Sequence, residues 1–176
     1  CREENVKEQV EALNAPVLLT DASTVQGAWQ DMVRIAEAVD RAAHGREWVE
    51  RIRAEWGEPR PAEWTVAYAI WREPWMVAGG DTYIHDVLRW WGVANAFAEQ
   101  PRYPEVTHWA GADIVLLSSE PYPFRDAHAE ALRAAGQTAI HVNGEAFSWY
   151  GSRMLHAIQD LRALSGDIAR ALSPHS

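Results

Sequence analysis

The sequence has almost no cysteine, no long apolar run and no stretch of positive charge. Its single cysteine is Cys1, so no disulfide can close within the chain and the redox compartment stays open. The longest apolar runs, such as 114–117, fall far short of the roughly 20 residues a helix needs to cross a bilayer. The formal charge is −9, spread along the chain with no basic stripe. Nucleic acid is therefore not expected as a partner, because phosphates need Lys and Arg opposite them. Phosphate-cradling glycine loops, dinucleotide fingerprints and thiol-redox pairs are missing too. Ser118-Ser119-Glu120 lacks the flanking glycines of a nucleophile elbow. No fixed short repeat, low-complexity tract or signal peptide is visible in the chain. Cys1 itself is compatible with a lipid-anchored N-terminus.

What is present describes a globular protein. Hydrophobic residues make up 48% and charged residues 23% of 176 positions, enough for one domain or two small ones. Ten tryptophans are many for this length; most belong in a core, but several fall in expected loops and hint at a stacking surface for a large flat ligand. The stretch 65–92 organises the rest. Residues 65–71 predict a buried strand, followed by a loop carrying Trp71, Pro74, Trp75 and Met76. Gly79-Gly80 allows a turn and a close backbone approach. Asp81 or Thr82 caps a helix whose Ile84, Val87, Leu88 and Trp91 form one stripe, and Gly92 stops it.

Upstream, 2–13 predicts a helix with Val6, Val10 and Leu13 inward, and 15–20 predicts a buried strand. Ser23 and Gln26 fit a capping box. The helix they open runs to about residue 43, is broken by Gly45, and is followed by a second carrying Trp48, Val49, Ile52 and Trp56 on one side. Gly57, Pro59 and Pro61 mark the clearest internal boundary, 57–63. Downstream, 112–118 and 138–142 predict strands, 125–135 and 152–164 helices, and Ser165 or Asp167 the restart of a last short helix. Residues 143–151 are expected as a loop. The strand–loop–helix order predicts an α/β fold with a mainly parallel sheet.

Two segments, EPWMVAGGDTYIHDVL and VNGEAFSWYGSRML, together with Tyr103-Pro104-Glu105-Val106 and LLSSEPYPF, resemble the class III substrate-binding proteins of ABC importers. The similarity is to the branch that binds cobalamin, siderophores and haem. It implies two α/β lobes joined by one stiff helix, with the ligand between them. On that mapping 1–44 form part of the N-terminal lobe, 45–62 the connecting helix and boundary, and 63–176 the C-terminal lobe; the start of the first lobe has no counterpart. The resemblance assigns ligand-facing roles to Trp71 and Trp75, to Tyr103, and to Trp149, Tyr150 and Arg153. Aromatic faces suit a corrin or chelate, and an arginine suits its amides or carboxylates. One departure stands out. Only 107–111 separate the Tyr-Pro element from the next strand, so the family's helix and its permease-docking glutamate have no counterpart there.

The expectation is thus a non-catalytic, extracytoplasmic binding protein, periplasmic or anchored through Cys1. It requires no cofactor. It captures a corrinoid, or next a ferric siderophore or haem, and delivers it to a membrane permease. Two alternatives stay open. One is an interaction module that associates, for instance as a dimer, through an incomplete first lobe. The other is a metal-dependent hydrolase built on Asp81 and His85, with Asp86 beside them.

Overall fold

In a computed structural model the described residues are 9, 10 and 12–173. Cys1 and most of the expected helix over 2–13 lie outside them, while Leu13 is 58% exposed rather than inward. The elements are α1 (Val25–Ala38), α2 (Ala42–Trp56), β1 (Trp64–Trp71), β2 (Met76–Val77), α3 (Tyr83–Trp90), β3 (Val93–Asn95), β4 (Ile114–Ser118), α4 (Asp126–Ala134), β5 (Ala139–Val142), α5 (Gly144–Ser148), α6 (Arg153–His156) and α7 (Ile158–Leu172).

The sheet runs β2-β1-β4-β5. β4 is parallel to both β1 and β5, and β3 runs parallel to the first residues of β1. β2 folds back antiparallel on the end of β1. Helices and ordered loops cover both faces, so the central strands are apolar throughout and not alternating. Val66, Tyr68, Ile70, Ile114 and Leu116 point to the side of α1, α2, α3 and α7. Ala67, Ala69, Val115 and Leu117 point to the side of α4 and Phe97.

Residues 98–106 lie along 75–80. Gly79 N donates to Arg102 O at 2.7 Å and Gly80 N to Gln100 O at 2.7 Å. A Cβ on Gly80 would stand 1.7 Å from Ala98 O, so only glycine permits this approach. Thr82 caps α3, its hydroxyl accepting from His85 N.

Four tryptophans join the helices to one another. Trp90 meets Trp29 edge-on at 5.2 Å, and Trp56 meets Trp91 at 5.6 Å. Trp56 Nε1 also donates to Met154 O at 2.9 Å in a buried contact. Asp86 of α3 accepts from Val25 N at 2.7 Å, fastening the start of α1.

Several expectations need correction. Residues 15–20 are irregular, with Val17, Leu18 and Leu19 exposed. A β-prone run becomes a strand only beside another strand, and none of the five pairs with it. α1 is capped by Thr24, whose hydroxyl accepts from Gly27 N, rather than by Ser23. The break between the two helices falls at 39–41, where Asp40 takes a φ of 57°; Gly45 is buried inside α2. Residues 144–148 form a short helix capped by Asn143. The helix expected over 152–164 is interrupted at Ala157, and α7 then continues without a restart because Ile158, Leu161, Leu164 and Ile168 carry its buried stripe past Gly166.

Candidate functional site

The carboxyl ends of β1, β4 and β5 open onto one edge of the sheet, the position where open α/β sheets bind ligands. β1 ends on Trp71, which is 42% exposed and meets Tyr122 edge-on at 5.3 Å. The chain leaving β4 supplies Glu120 and Tyr122. The chain leaving β5 forms α5 and then presents Trp149, 53% exposed. Adjacent strands stand roughly 4.8 Å apart, so these groups form a row about 10 Å from end to end at the backbone.

Buried polar groups fix the middle of the row. Tyr68 O–H donates to Ser118 Oγ at 3.0 Å, and Ser118 Oγ donates to the carbonyl of Glu120 at 2.6 Å. Tyr68 and Ser118 are fully buried, and burial pushes the Tyr68 hydroxyl well above its ordinary pKa, opposed by its hydrogen bonds to Ser118 and Ser148. Ser119 Oγ accepts from Gly144 N at 2.9 Å, tying the two loops together. Trp149 Nε1 donates to Glu120 Oε1 at 2.6 Å.

The six residues singled out from sequence fall into four settings. Trp71 and Trp149 are exposed at the strand ends. Trp75 is half-buried, stacked on Phe124 at 5.6 Å with 9° between planes, and edge-on to Trp109 at 5.1 Å. Tyr103 and Tyr150 pack on the opposite core, where Tyr150 meets Tyr83 at 5.6 Å. Arg153 pairs with Glu145 beside a hollow of about 120 Å³ lined also by Asn143 and His156. That hollow is too small for a chelate, since ligand pockets run from roughly 300 Å³ upward. Larger grooves of about 500 and 450 Å³ lie on the helices, one between Trp29, Val33 and Val49, the other between Glu55, Leu155 and Arg162. Neither touches the strand ends.

Sequence reasoning missed Glu120 and Tyr122, although both stand in the Pro-marked loop directly after the most apolar strand. Asp81 and Asp86 are each turned to a backbone N–H, of Arg102 and Val25 respectively. His85 is held below the usual histidine range by burial and then by Arg89. Among the described residues no group of three metal-binding side chains converges. Residues 96–111 contain no helix.

No protein-family model matches the sequence, and no curated protein does. Solved structures do match. A periplasmic haem-binding protein from Roseiflexus sp. RS-1 superposes with a TM-score of 0.69 at 18% identity, over 94% of this chain and 71% of that one. A possible iron-binding (periplasmic solute-binding) protein from Staphylococcus epidermidis gives 0.69 at 17%, over 88% and 68%. The periplasmic vitamin B12-binding protein of Vibrio cholerae gives 0.63 at 14%, over 93% and 69%. At these identities the likeness is one of fold.

Proposed function

We infer from the fold, that of the class III periplasmic substrate-binding proteins, that this chain is the binding component of an ABC importer for a flat metal chelate. The carrying observation is the aromatic row, with Trp71 and Trp149 exposed at the carboxyl ends of the sheet. Exposed indoles at that edge are costly to leave in water and are suited to stacking on a macrocycle. A corrinoid is the leading ligand, with a ferric siderophore or haem next. Trp75 supports the row through Phe124 and Tyr122. Tyr103, Tyr150 and Arg153 enter this reading through the resemblance alone, since Tyr103 and Tyr150 pack on the opposite core and Arg153 pairs with Glu145. In this reading 1–44 belong to the first lobe, α2 is the stiff connector, and 63–176 form the second lobe. Capture occurs between lobes with modest closure, outside the cytoplasm, and involves no covalent chemistry. Delivery is to a permease. With no helix in 96–111 to present a glutamate, docking uses other contacts than the family's usual one.

The test is calorimetric titration with cyanocobalamin, haem and a ferric siderophore. Saturable binding to at least one is expected, weakened by Trp71→Ala and by Trp149→Ala in folded protein. No response to the whole panel overturns the reading. One observation favours a second reading, association through the first-lobe segment: Val17, Leu18, Leu19, Ile35 and Val39 are all exposed. Sedimentation would then show a dimer that Leu18→Glu dissolves.

A further inference from the structure

We propose that Glu120 reads the charge of the bound chelate, selecting a ligand whose rim offers N–H donors or positive charge over one whose rim carries carboxylates. The proposal rests on the chelate-binding reading and adds the ligand class.

Position comes first. Glu120 leaves β4, between the Trp71–Tyr122 pair on one side and Trp149 on the other. A ligand stacked on the row lies over its carboxylate. Rigidity is the second point. The buried Tyr68–Ser118 relay holds the Glu120 carbonyl. On its other side the backbone of Gly144 packs so tightly that a Cβ there would stand 2.7 Å from Glu120 Cγ. Backbone and stem are therefore fixed, and the carboxylate is presented at one place.

Compensation is the third point. Trp149 Nε1 satisfies one carboxylate oxygen, whereas a carboxylate can accept about four hydrogen bonds. Among the described residues no ion pair reaches Glu120: Arg153 pairs with Glu145, Arg72 pairs with Glu73 at 3.6 Å, the His141 imidazole lies 3.3 Å from Asp126, and Arg125 stands at the N-cap of α4, at the end of the same loop. The middle of the row therefore presents a carboxylate with no ion-pair partner and with spare acceptor capacity. Primary amides around a corrin-type macrocycle donate to it. The propionates of haem, or the oxygens of an anionic ferric catecholate, set like charge beside it.

The experiment compares cyanocobalamin and haem on the full chain, wild type and Glu120→Gln, by calorimetry. Glutamine keeps an acceptor for Trp149 Nε1 and nearly the same shape while removing the charge. The wild type is expected to prefer cyanocobalamin. E120Q is expected to narrow the ratio of the two dissociation constants by about tenfold, the scale of one charge-assisted contact. An unchanged ratio, with either ligand still bound, overturns the role of Glu120 and leaves the chelate reading intact. A wild type that prefers haem does the same. Binding of neither ligand nor any ferric siderophore by folded wild type overturns both. Should E120Q not fold, wild-type haem affinity at low and high salt reads the same charge. A rise towards the cyanocobalamin value upholds the proposal, and a flat response overturns it.

Discussion

Replacing Gly45 by alanine is expected to destabilise the protein, although glycine inside a helix is normally a weakness. In an open helical position the change gains about 1 kcal/mol. Here the new Cβ would stand 2.4 Å from Ala36 Cβ, with Met32 O at 3.5 Å and Val33 Cα at 3.7 Å. Carbon atoms rest at roughly 3.5–4.0 Å, so α1 and α2 would have to separate by about an ångström. Ala36 has no rotamer that could swing aside. Overpacking of this kind costs about 1–3 kcal/mol, which exceeds the propensity gain and leaves a net loss of about 1 kcal/mol. Urea unfolding followed by tryptophan fluorescence measures it. Ala36→Gly alone loses about 1 kcal/mol of helix propensity. Combined with Gly45→Ala it removes the clash, so the cycle should show about 1–2 kcal/mol of favourable coupling. A stabilised Gly45→Ala protein, or strict additivity, would refute the claim that this glycine serves helix contact.

Three further outcomes are expected. Trp56→Phe leaves the buried Met154 carbonyl without its donor and should cost about 1–3 kcal/mol, while Trp56→Ala adds a cavity and reaches about 3–5 kcal/mol; equal losses in urea titrations would contradict this. Asp86→Ala frees Val25 N, so amide exchange over the first turn of α1 should accelerate about tenfold, with Asp86→Asn keeping part of the protection. Burial pushes the Tyr68 and Tyr83 hydroxyls above the ordinary tyrosine value of 10.0. The native state then holds protons that the unfolded chain releases, so this stability is complete below pH 10 and falls as pH rises beyond it, by about 1.4 kcal/mol per pH unit for each tyrosine. Alkaline unfolding curves that Tyr68→Phe and Tyr83→Phe leave equally steep would count against it.

The parallel sheet was legible because the middles of β1 and β4 are buried on both faces, which writes them as apolar runs, while the edge strand β5, with His141 exposed, is marked only by its β-prone residues. The same signal misled at 15–20, where the run is equally apolar but no strand lies beside it. β3, only three residues long, leaves no periodicity to read. Gly45 reads as a break because sequence alone does not separate a glycine that ends a helix from one that lets a second helix come close. Glu120 escaped notice for a different reason: its setting depends on Tyr68 and Trp149, 50 residues from Ser118 and 29 from Glu120. The loop that follows Trp71 was legible from its Pro74 and Gly79-Gly80, whereas the stretch before Trp149 reads as a loop but holds the short helix α5.

The segment laid along β2 governs what this sheet can join. Residues 98–106 accept from Val77, Gly79 and Gly80 through the carbonyls of Pro104, Arg102 and Gln100. Pro101 and Pro104 have no N–H of their own, so a strand approaching from outside would find two of its acceptors without donors. The sheet is therefore capped on that side against strand addition. Lengthening by edge pairing is left to β3 and β5, whose three and four residues give an incoming chain little to hold.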